Sequence, residues 1–179
     1  ALPQTKDGAI LNLPERYISD GASRAPHIAV AIPGDIDTSQ LVPAFGKISD
    51  SANVNSQTLI LDTQTGLFIE HFSEFFGNET QSLAIRPLEL LEFNRRYIVV
   101  VQGLKTTEGE PVAAPETFQK IRDALPLESK HDAIQEHYQQ RIFPHLLEAG
   151  VDQENLILAW DFTTRSEKNA TGDVMHMRR

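Results

Sequence analysis

The chain has 179 residues, of which 40% are hydrophobic, so it is long enough for one well-buried core and for one domain, or one domain with an appendage. Its net charge of −9 argues against nucleic acid and anionic membranes as partners, because affinity for phosphate comes largely from Lys and Arg. The absence of Cys excludes disulfides and thiolate chemistry, and no apolar run approaches the roughly 18 residues of a membrane span.

Residues 27–115 are predicted to form strands. The segment HIAVAI at 27–32 alternates apolar residues onto one face, namely Ile28, Val30 and Ile32. Residues 57–72 predict a hairpin around the turn residues DTQTG, with apolar positions on both arms at Leu59, Leu61, Leu67 and Ile69. QSLAIRP at 81–87 predicts a further strand, and RRYIVVVQGL at 95–104 is rich enough in β-branched residues to be central. Pro87 and LELLEFN form the corner between these two strands.

After residue 115 the spacing of apolar residues changes from the period of a strand to that of a helix. APETFQKIRDAL predicts a short helix, with Phe118, Ile121 and Leu125 at helical spacing. Residues 127–150 predict a second helix, which Pro144 interrupts or kinks and which Gly150 caps. Its apolar stripe consists of Ile134, Tyr138, Ile142, Leu146 and Ala149.

At 156–163 the residues again alternate with the period of a strand, which predicts a closing strand, LILAWDFT. This segment contains the only Trp of the chain. One face carries Leu156, Leu158, Trp160 and Phe162, and its aromatic residues point into the core. The other face carries Ile157, Ala159, Asp161 and Thr163, of which Asp161 and Thr163 are expected to face outward or to lie under the helices. The polar group Asp161, Thr163, Thr164 and Arg165 is a candidate site, but the alternation favours a structural role. Arg165 is expected to pair with Asp161 or with a following domain. EKNATGDVMHMRR after this strand carries a weak helix signal.

Four segments within residues 28–166 resemble, in order, the Ig-like domain at the N-terminus of bacterial extracellular lipases and related secreted α/β-hydrolases. They are IPGDIDTSQLV, LILDTQTG, SLAIRPLELLEFNRRYIVVVQGLKTTEGEPV and AWDFTTRS. The resemblance implies a mainly β chain: an Ig-like β-sandwich over 1–166, with two helices inserted at about 116–150 before the last strand and a C-terminal helical extension at 167–179. Tyr97 occupies the position of a corner tyrosine, whose hydroxyl bonds back to the preceding corner. The alternative is an ordinary half-buried strand aromatic.

The catalytic part of such a hydrolase is not found in this sequence. Its nucleophile elbow reads G-x-S-x-G, and the nearest approach, DGAS at 20–23, lacks the second Gly. Residues 167–179 are therefore expected to be a linker helix toward a missing catalytic domain. We predict no catalytic, cofactor-binding or metal-binding residue in this chain.

Two patterns suggest metal binding without completing a metal site. Asp35, Asp37 and Ser39 begin like an EF-hand loop, but Gln40 and Gly46 stand where Gly and Glu are needed, so an Asx turn is favoured. A second set, formed by His131, His137 and His145, lacks the i, i+3 or i, i+4 spacing of helical zinc ligands, which favours solvated histidines.

The sequons at Asn78 and Asn169 are candidate glycosylation sites in a eukaryotic secretory pathway. The FFGNET segment at 75–80, with Phe68 and Phe72 nearby, is the densest aromatic cluster. Most of it should be core, and its exposed part, or the helices at 116–150, would be the docking surface for a catalytic domain.

The sequence thus predicts a non-catalytic N-terminal domain, or a processed fragment, of a secreted lipase- or esterase-like hydrolase. It would support or shield the catalytic domain, with no nucleic-acid partner and no membrane span, in an extracellular, periplasmic or cell-surface setting. The alternative is a free-standing Ig-like module that binds carbohydrate or protein. A third hypothesis is a small enzyme with an unfamiliar site around Asp132, Glu136 and His137.

Overall fold

The structure is a computed structural model that describes Lys6, residues 19–77 and residues 81–177, with side chains up to residue 172. The strands of this part are β1 (Ile28–Ala31), β2 (Thr58–Asp62), β3 (His71–Phe76), β4 (Ser82–Pro87), β5 (Arg96–Gln102) and β6 (Leu156–Thr163). The α-helices are α1 (Glu116–Arg122), α2 (Asp132–His137), α3 (Phe143–Glu148) and α4 (Glu167–Met177). None of these helices, within the residues described, is long and apolar enough to cross a membrane.

The strands form two antiparallel three-stranded sheets, with the orders β1-β4-β3 and β2-β5-β6. The predicted β-rich fold is confirmed at this level, as is the helical segment that precedes the last strand. Strand β5 is central to its sheet, as its β-branched sequence predicts, and six of its seven residues are buried.

The first core cluster joins the two sheets. Sheet β1-β4-β3 contributes Ile28, Leu83 and Ile85, while sheet β2-β5-β6 contributes side chains such as Val99 and Val101. Trp160 and Phe162 pack against this cluster, as the alternation in the last strand predicts.

The second core cluster lies between sheet β2-β5-β6 and the helices. Leu59 and Ile98 of the sheet meet Phe118 of α1 and Leu146 of α3. Because alternate residues of a strand point to opposite faces, this sheet is buried on both sides. The run of apolar residues in β5 is the sequence signature of that double burial.

One detail of the last strand differs from the prediction. The register slips between Val101 and Gln102, so that Ile157 joins the first cluster while Leu156 joins the second. A β-bulge is the physical reason for this difference. The face that carries Asp161 was expected to face outward or to lie under the helices; Ala159 on that face is fully buried in the cluster between the sheet and the helices, which agrees with the second location.

The hairpin prediction at 57–72 is correct only near its turn. Gly66 adopts φ +71°, and Ile69 N–H donates to Ile60 O at 2.8 Å, so the return arm does pair with β2. The chain then leaves for the other sheet as β3. Leu67 was expected on the apolar face and is 66% exposed; it directly follows the turn, where its carbonyl accepts from Asp62 N–H.

The predicted second helix is interrupted, as Pro144 predicts. A π-helical turn, Tyr138–Ile142, separates α2 from α3, and Pro144 follows at the start of α3. Pro144 has no N–H for a helical hydrogen bond, which explains the interruption. Ile134, the first residue of the predicted stripe, is 47% exposed, whereas Ile142 and Leu146 are buried. Gly150 follows α3 at φ +79°, in the predicted capping position.

The corner between β4 and β5 is held by side chains. Glu92 N–H donates to the Tyr97 hydroxyl at 3.0 Å, which is the predicted corner contact. The hydroxyl of Thr164 donates to Glu92 O at 2.6 Å, and its oxygen accepts from Arg95 N at 2.9 Å. Burial raises the pKa of Tyr97, so its hydroxyl stays protonated at neutral pH.

Candidate functional site

The most concentrated group of interacting ionisable side chains in the described chain is centred on Asp161, on the helix-facing side of β6. Arg96 Nε donates to Asp161 Oδ2 at 2.6 Å, and His137 Nε2 donates to Oδ1 at 2.9 Å. Arg96 also donates to Arg141 O at 2.8 Å. One carboxylate therefore ties together β5, β6 and the end of α2.

Partial burial sets the electrostatics of this cluster. The side chains of Asp161 and Arg96 are 19% and 17% exposed. Burial alone would raise the pKa of Asp161, but the hydrogen bonds and charges of His137 and Arg96 outweigh it and hold the pKa below its ordinary value. Asp161 is therefore a carboxylate, and an acceptor only, across the neutral range.

Tyr138 lies beside this cluster. Its hydroxyl donates to Ala159 O at 2.6 Å, and its ring contacts that of His137 edge-on, with centroids 6.4 Å apart. Burial, and then the charge of Asp161, raise the pKa of Tyr138. The residue acts as a hydrogen-bond donor that fastens the π-helical turn to β6.

An Asp–His pair is one component of hydrolytic sites, in which the carboxylate orients the imidazole and the imidazole activates a hydroxyl. Within the described residues, no Ser or Thr hydroxyl is hydrogen-bonded to His137. Both oxygens of Asp161 accept hydrogen bonds from side chains that belong to the fold. The arrangement docks the helices on the sheet, which agrees with the structural role expected for Asp161.

The sequence did not predict the partners of Asp161. Arg165 was expected as one candidate, but the carboxylate pairs with Arg96 and His137 instead. The placement of Asp161 under the helices was one of the two expected locations. The available signal was the polar residue at an alternate position of an otherwise apolar strand.

The candidate metal and enzyme residues do not converge. His131, His137 and His145 lie in a 3₁₀ turn, in α2 and in α3 respectively. Glu136 accepts from Gln140 rather than contacting His137. Across residues 19–77 and 81–172, no group of three or more His, Asp or Glu is arranged to hold a metal ion. Asp37 Oδ1 accepts from Ser39 N at 3.0 Å, which confirms the Asx turn.

A buried polar network lies elsewhere in the core and was not predicted. The His71 side chain is fully buried, with Nδ1 donating to Ile69 O at 2.8 Å and Nε2 2.9 Å from Thr58 Oγ1. Ser73 Oγ lies 2.8 Å from the same Thr58 hydroxyl. Burial lowers the pKa of His71, which favours the neutral ring. His71 and Ser73 occupy alternate buried positions of β3. The strand alternation of residues 71–76 could therefore have placed both polar side chains on the buried face.

The two candidate glycosylation residues stand differently. Asn78 lies outside the described residues. Asn169 is in the first turn of α4, where its backbone N–H donates to Ser166 Oγ at 3.1 Å, and it is half-buried. Glycosylation at either residue stays a prediction.

The aromatic cluster is mostly packed, as expected. Phe68 and Phe75 pack against the second and first core clusters, and Arg86 lies 5.8 Å from the ring of Phe72. Phe76 is 46% exposed, and on the helical side Leu147 is 78% exposed. That either surface docks a catalytic domain stays a prediction.

Comparisons with known proteins do not place the chain in a family. No family model matches it, and no curated protein matches it. One similar solved structure is that of the surface layer protein SbsC, domains 1–6, at 17% identity and a TM-score of 0.35. The match covers 52% of this chain and 12% of that chain, so the chain spans a small part of the length of that protein.

Proposed function

We propose that the two sheets form an Ig-like β-sandwich. Two observations support this: the first core cluster draws side chains from both sheets, and the Tyr97 hydroxyl accepts a hydrogen bond from Glu92, five residues upstream. A corner tyrosine with this contact is common in Ig-like sandwiches.

We propose further that the chain is the non-catalytic N-terminal domain, or a processed fragment, of a secreted lipase- or esterase-like hydrolase. The resemblance of four sequence segments motivates this function. The polar residues of those segments are occupied in holding the fold together: Asp62 is 3% exposed and pairs with Arg95 at 2.8 Å, and Thr164 bonds to the backbone of the corner. In a supporting domain these residues would stabilise the fold and would not take part in catalysis.

The observation that carries the proposal is the attachment of α4. Asp20 accepts from Ser166 N at 3.0 Å and from the Ser166 hydroxyl at 2.6 Å, while Ser166 Oγ accepts from Asn169 N. We call these bonds between Asp20 and Ser166 the clamp. The hydrogen bonds from Ser166 lower the pKa of Asp20, so its carboxylate is ionised at neutral pH. The first turn of α4 is thus fixed to the segment before β1, which itself pairs through Ala22 with the end of β6, as a connector that orients a second domain requires.

The test has two arms. The purified chain is assayed with short- and long-chain p-nitrophenyl esters, and no turnover above the blank is expected; turnover would contradict a non-catalytic role. The reading frame after Arg179 is then determined. A stop codon directly after Arg179, with no hydrolase fragment co-purifying, would refute the accessory role.

Where a hydrolase domain follows, the clamp is tested in the parent protein. Asp20→Ala removes both bonds to Ser166, whereas Asp35→Ala removes an exposed carboxylate that makes no hydrogen bond within the described residues. The parent's ester-hydrolysing activity should lose heat resistance in the first variant and keep it in the second. Equal heat resistance in both variants would show that the bonds of Asp20 to Ser166 do not hold a second domain in place.

A further inference from the structure

Three cavities lie in series at one end of sheet β2-β5-β6, where β2 begins, β5 ends and β6 begins. Their volumes are about 380, 340 and 350 Å³. The first and second share the lining residues Asn55 and Gln57, and the second and third share Gly103, Lys105 and Asn155. We call these three neighbouring cavities together the loop-end groove. Their arrangement one after another suits a chain-like ligand better than a single small molecule.

The loop-end groove is electrically balanced although the chain carries a net charge of −9. Three basic and three acidic side chains line it: Lys47, Lys105, Arg122, Asp50, Asp152 and Glu154. Lys47 is further neutralised by an ion pair with Asp50 at 2.8 Å. A surface without excess charge attracts neither polyanions nor polycations, so the fitting ligand is uncharged.

The centre of the groove presents amide side chains from a rigid loop. Within the described residues, the side chains of Asn55 and Gln57 make no hydrogen bond, although both line two cavities. The loop beneath them is fixed, because Gln102 Nε2 donates to Val54 O at 2.6 Å and to Ser56 O at 2.8 Å. An amide both donates and accepts, which matches the hydroxyl groups of a sugar. Holding these amides in place before binding lowers the entropic cost of association.

An exposed aromatic residue lies in the chain between two residues that line the first cavity. Phe45 is fully exposed, at 103% relative accessibility. It lies in a turn closed by Gly46 N–H donating to Pro43 O at 2.9 Å, and Pro43 and Lys47 on either side of it line the cavity. Leaving such a ring in water forgoes burial that would stabilise the fold. Exposed aromatic rings stack on the C–H faces of pyranose sugars, which gives Phe45 a role.

We propose that the loop-end groove binds a neutral polysaccharide chain, with Phe45 as a stacking platform and the side chains of Asn55 and Gln57 as hydrogen-bonding partners of sugar hydroxyls. A neutral extended peptide is the competing ligand, and the observations favour the glycan because the central side chains are amides at a polar surface. The proposal needs no hydrolase domain, so it stands or falls separately from the accessory role.

The experiment is affinity electrophoresis of the 179-residue chain in native gels that contain β-glucan, xylan, galactomannan or dextran, with alginate as the polyanionic comparison. At least one neutral polysaccharide should retard the chain, and alginate should not. No retardation by any of the four would overturn the proposal. So would stronger retardation by alginate, or competition of the bound glycan by a neutral polyproline peptide at equal mass concentration.

Matched variants locate the site. Phe45→Ala and the double variant Asn55→Ala/Gln57→Ala should each weaken binding at least tenfold. Gln64→Ala and Leu67→Ala remove an amide and an exposed apolar side chain at the opposite end of β2. Both control variants should bind the polysaccharide as the unmodified chain does. All these positions lie outside the buried core, and thermal unfolding of each variant checks that the fold is retained. Equal binding by the groove variants and the controls would refute the assignment.

Discussion

Asp161→Ala should remove the polar cluster that cross-links β5 with β6 and joins the end of α2 to β6. The change deletes two charge-assisted hydrogen bonds, from Arg96 at 2.6 Å and from His137 at 2.9 Å. The side chain of Arg96 is only 17% exposed, so losing its bond to Asp161 is costly, although it keeps Arg141 O as an acceptor. The lost Arg96–Asp161 bond should cost about 1.5–2 kcal/mol. His137 is 45% exposed and contributes about 0.5–1 kcal/mol. The free energy of unfolding should therefore fall by about 2–3 kcal/mol.

Trp160 provides the assay, because it is the only Trp and adjoins Asp161 in β6. Urea unfolding followed by its fluorescence gives the free energy for the parent chain, for Asp161→Ala, for His137→Ala and for the double variant. His137→Ala should cost about 0.5–1 kcal/mol alone and almost nothing once Asp161 is absent. Asp35→Ala is the control for removing an exposed carboxylate. A loss below about 0.5 kcal/mol in Asp161→Ala, equal to that control, would show that the cluster does not stabilise the fold.

Three further changes test other parts of the fold. Gly21→Ala would place a methyl group 2.7 Å from backbone atoms of residues 163–165, so unfolding by urea should show a loss of about 2–3 kcal/mol; an unchanged midpoint would contradict that contact. His71 has a lowered pKa in the folded state, so the unfolded chain takes up the proton first. Stability should be full above about pH 6.5 and fall below it, and His71→Gln should show a shallower slope between pH 7.5 and 5. Tyr97→Phe leaves Glu92 N–H without its acceptor and should cost about 1 kcal/mol, which thermal unfolding will reveal as a lower midpoint.

Local patterns predicted those parts of the fold that depend on near neighbours. The β-branched run of β5 marks a central strand, and Pro144 marks the break before α3. These two features need only the spacing of residues along one element. The corner contact of Tyr97 was expected instead from the resemblance to Ig-like sandwiches, beside the alternative of an ordinary strand aromatic.

Features that depend on distant partners were not predicted. Leu67 and Ile69 alternate like strand residues, yet the chain leaves β2 after a short pairing because β4 offers the next partner. The bulge at Ile157 depends on the facing residues Val101 and Gln102. The pairing of His137 with Asp161 joins residues 24 positions apart through the docking of a helix. Patterns within one segment of a sequence do not show which distant surfaces come into contact in the folded chain.

The place of β6 in the chain has a consequence during synthesis. β5 lies between β2 and β6 in its sheet, but β6 follows only after the intervening residues 103–155. At about 5–20 residues per second, a ribosome needs roughly 3–12 seconds to add the segment from the end of β5 to the end of β6. Throughout that interval one edge of an apolar strand has no hydrogen-bonding neighbour, which is the condition for misassociation between nascent chains. The yield of soluble protein should therefore depend on the rate at which this stretch is translated.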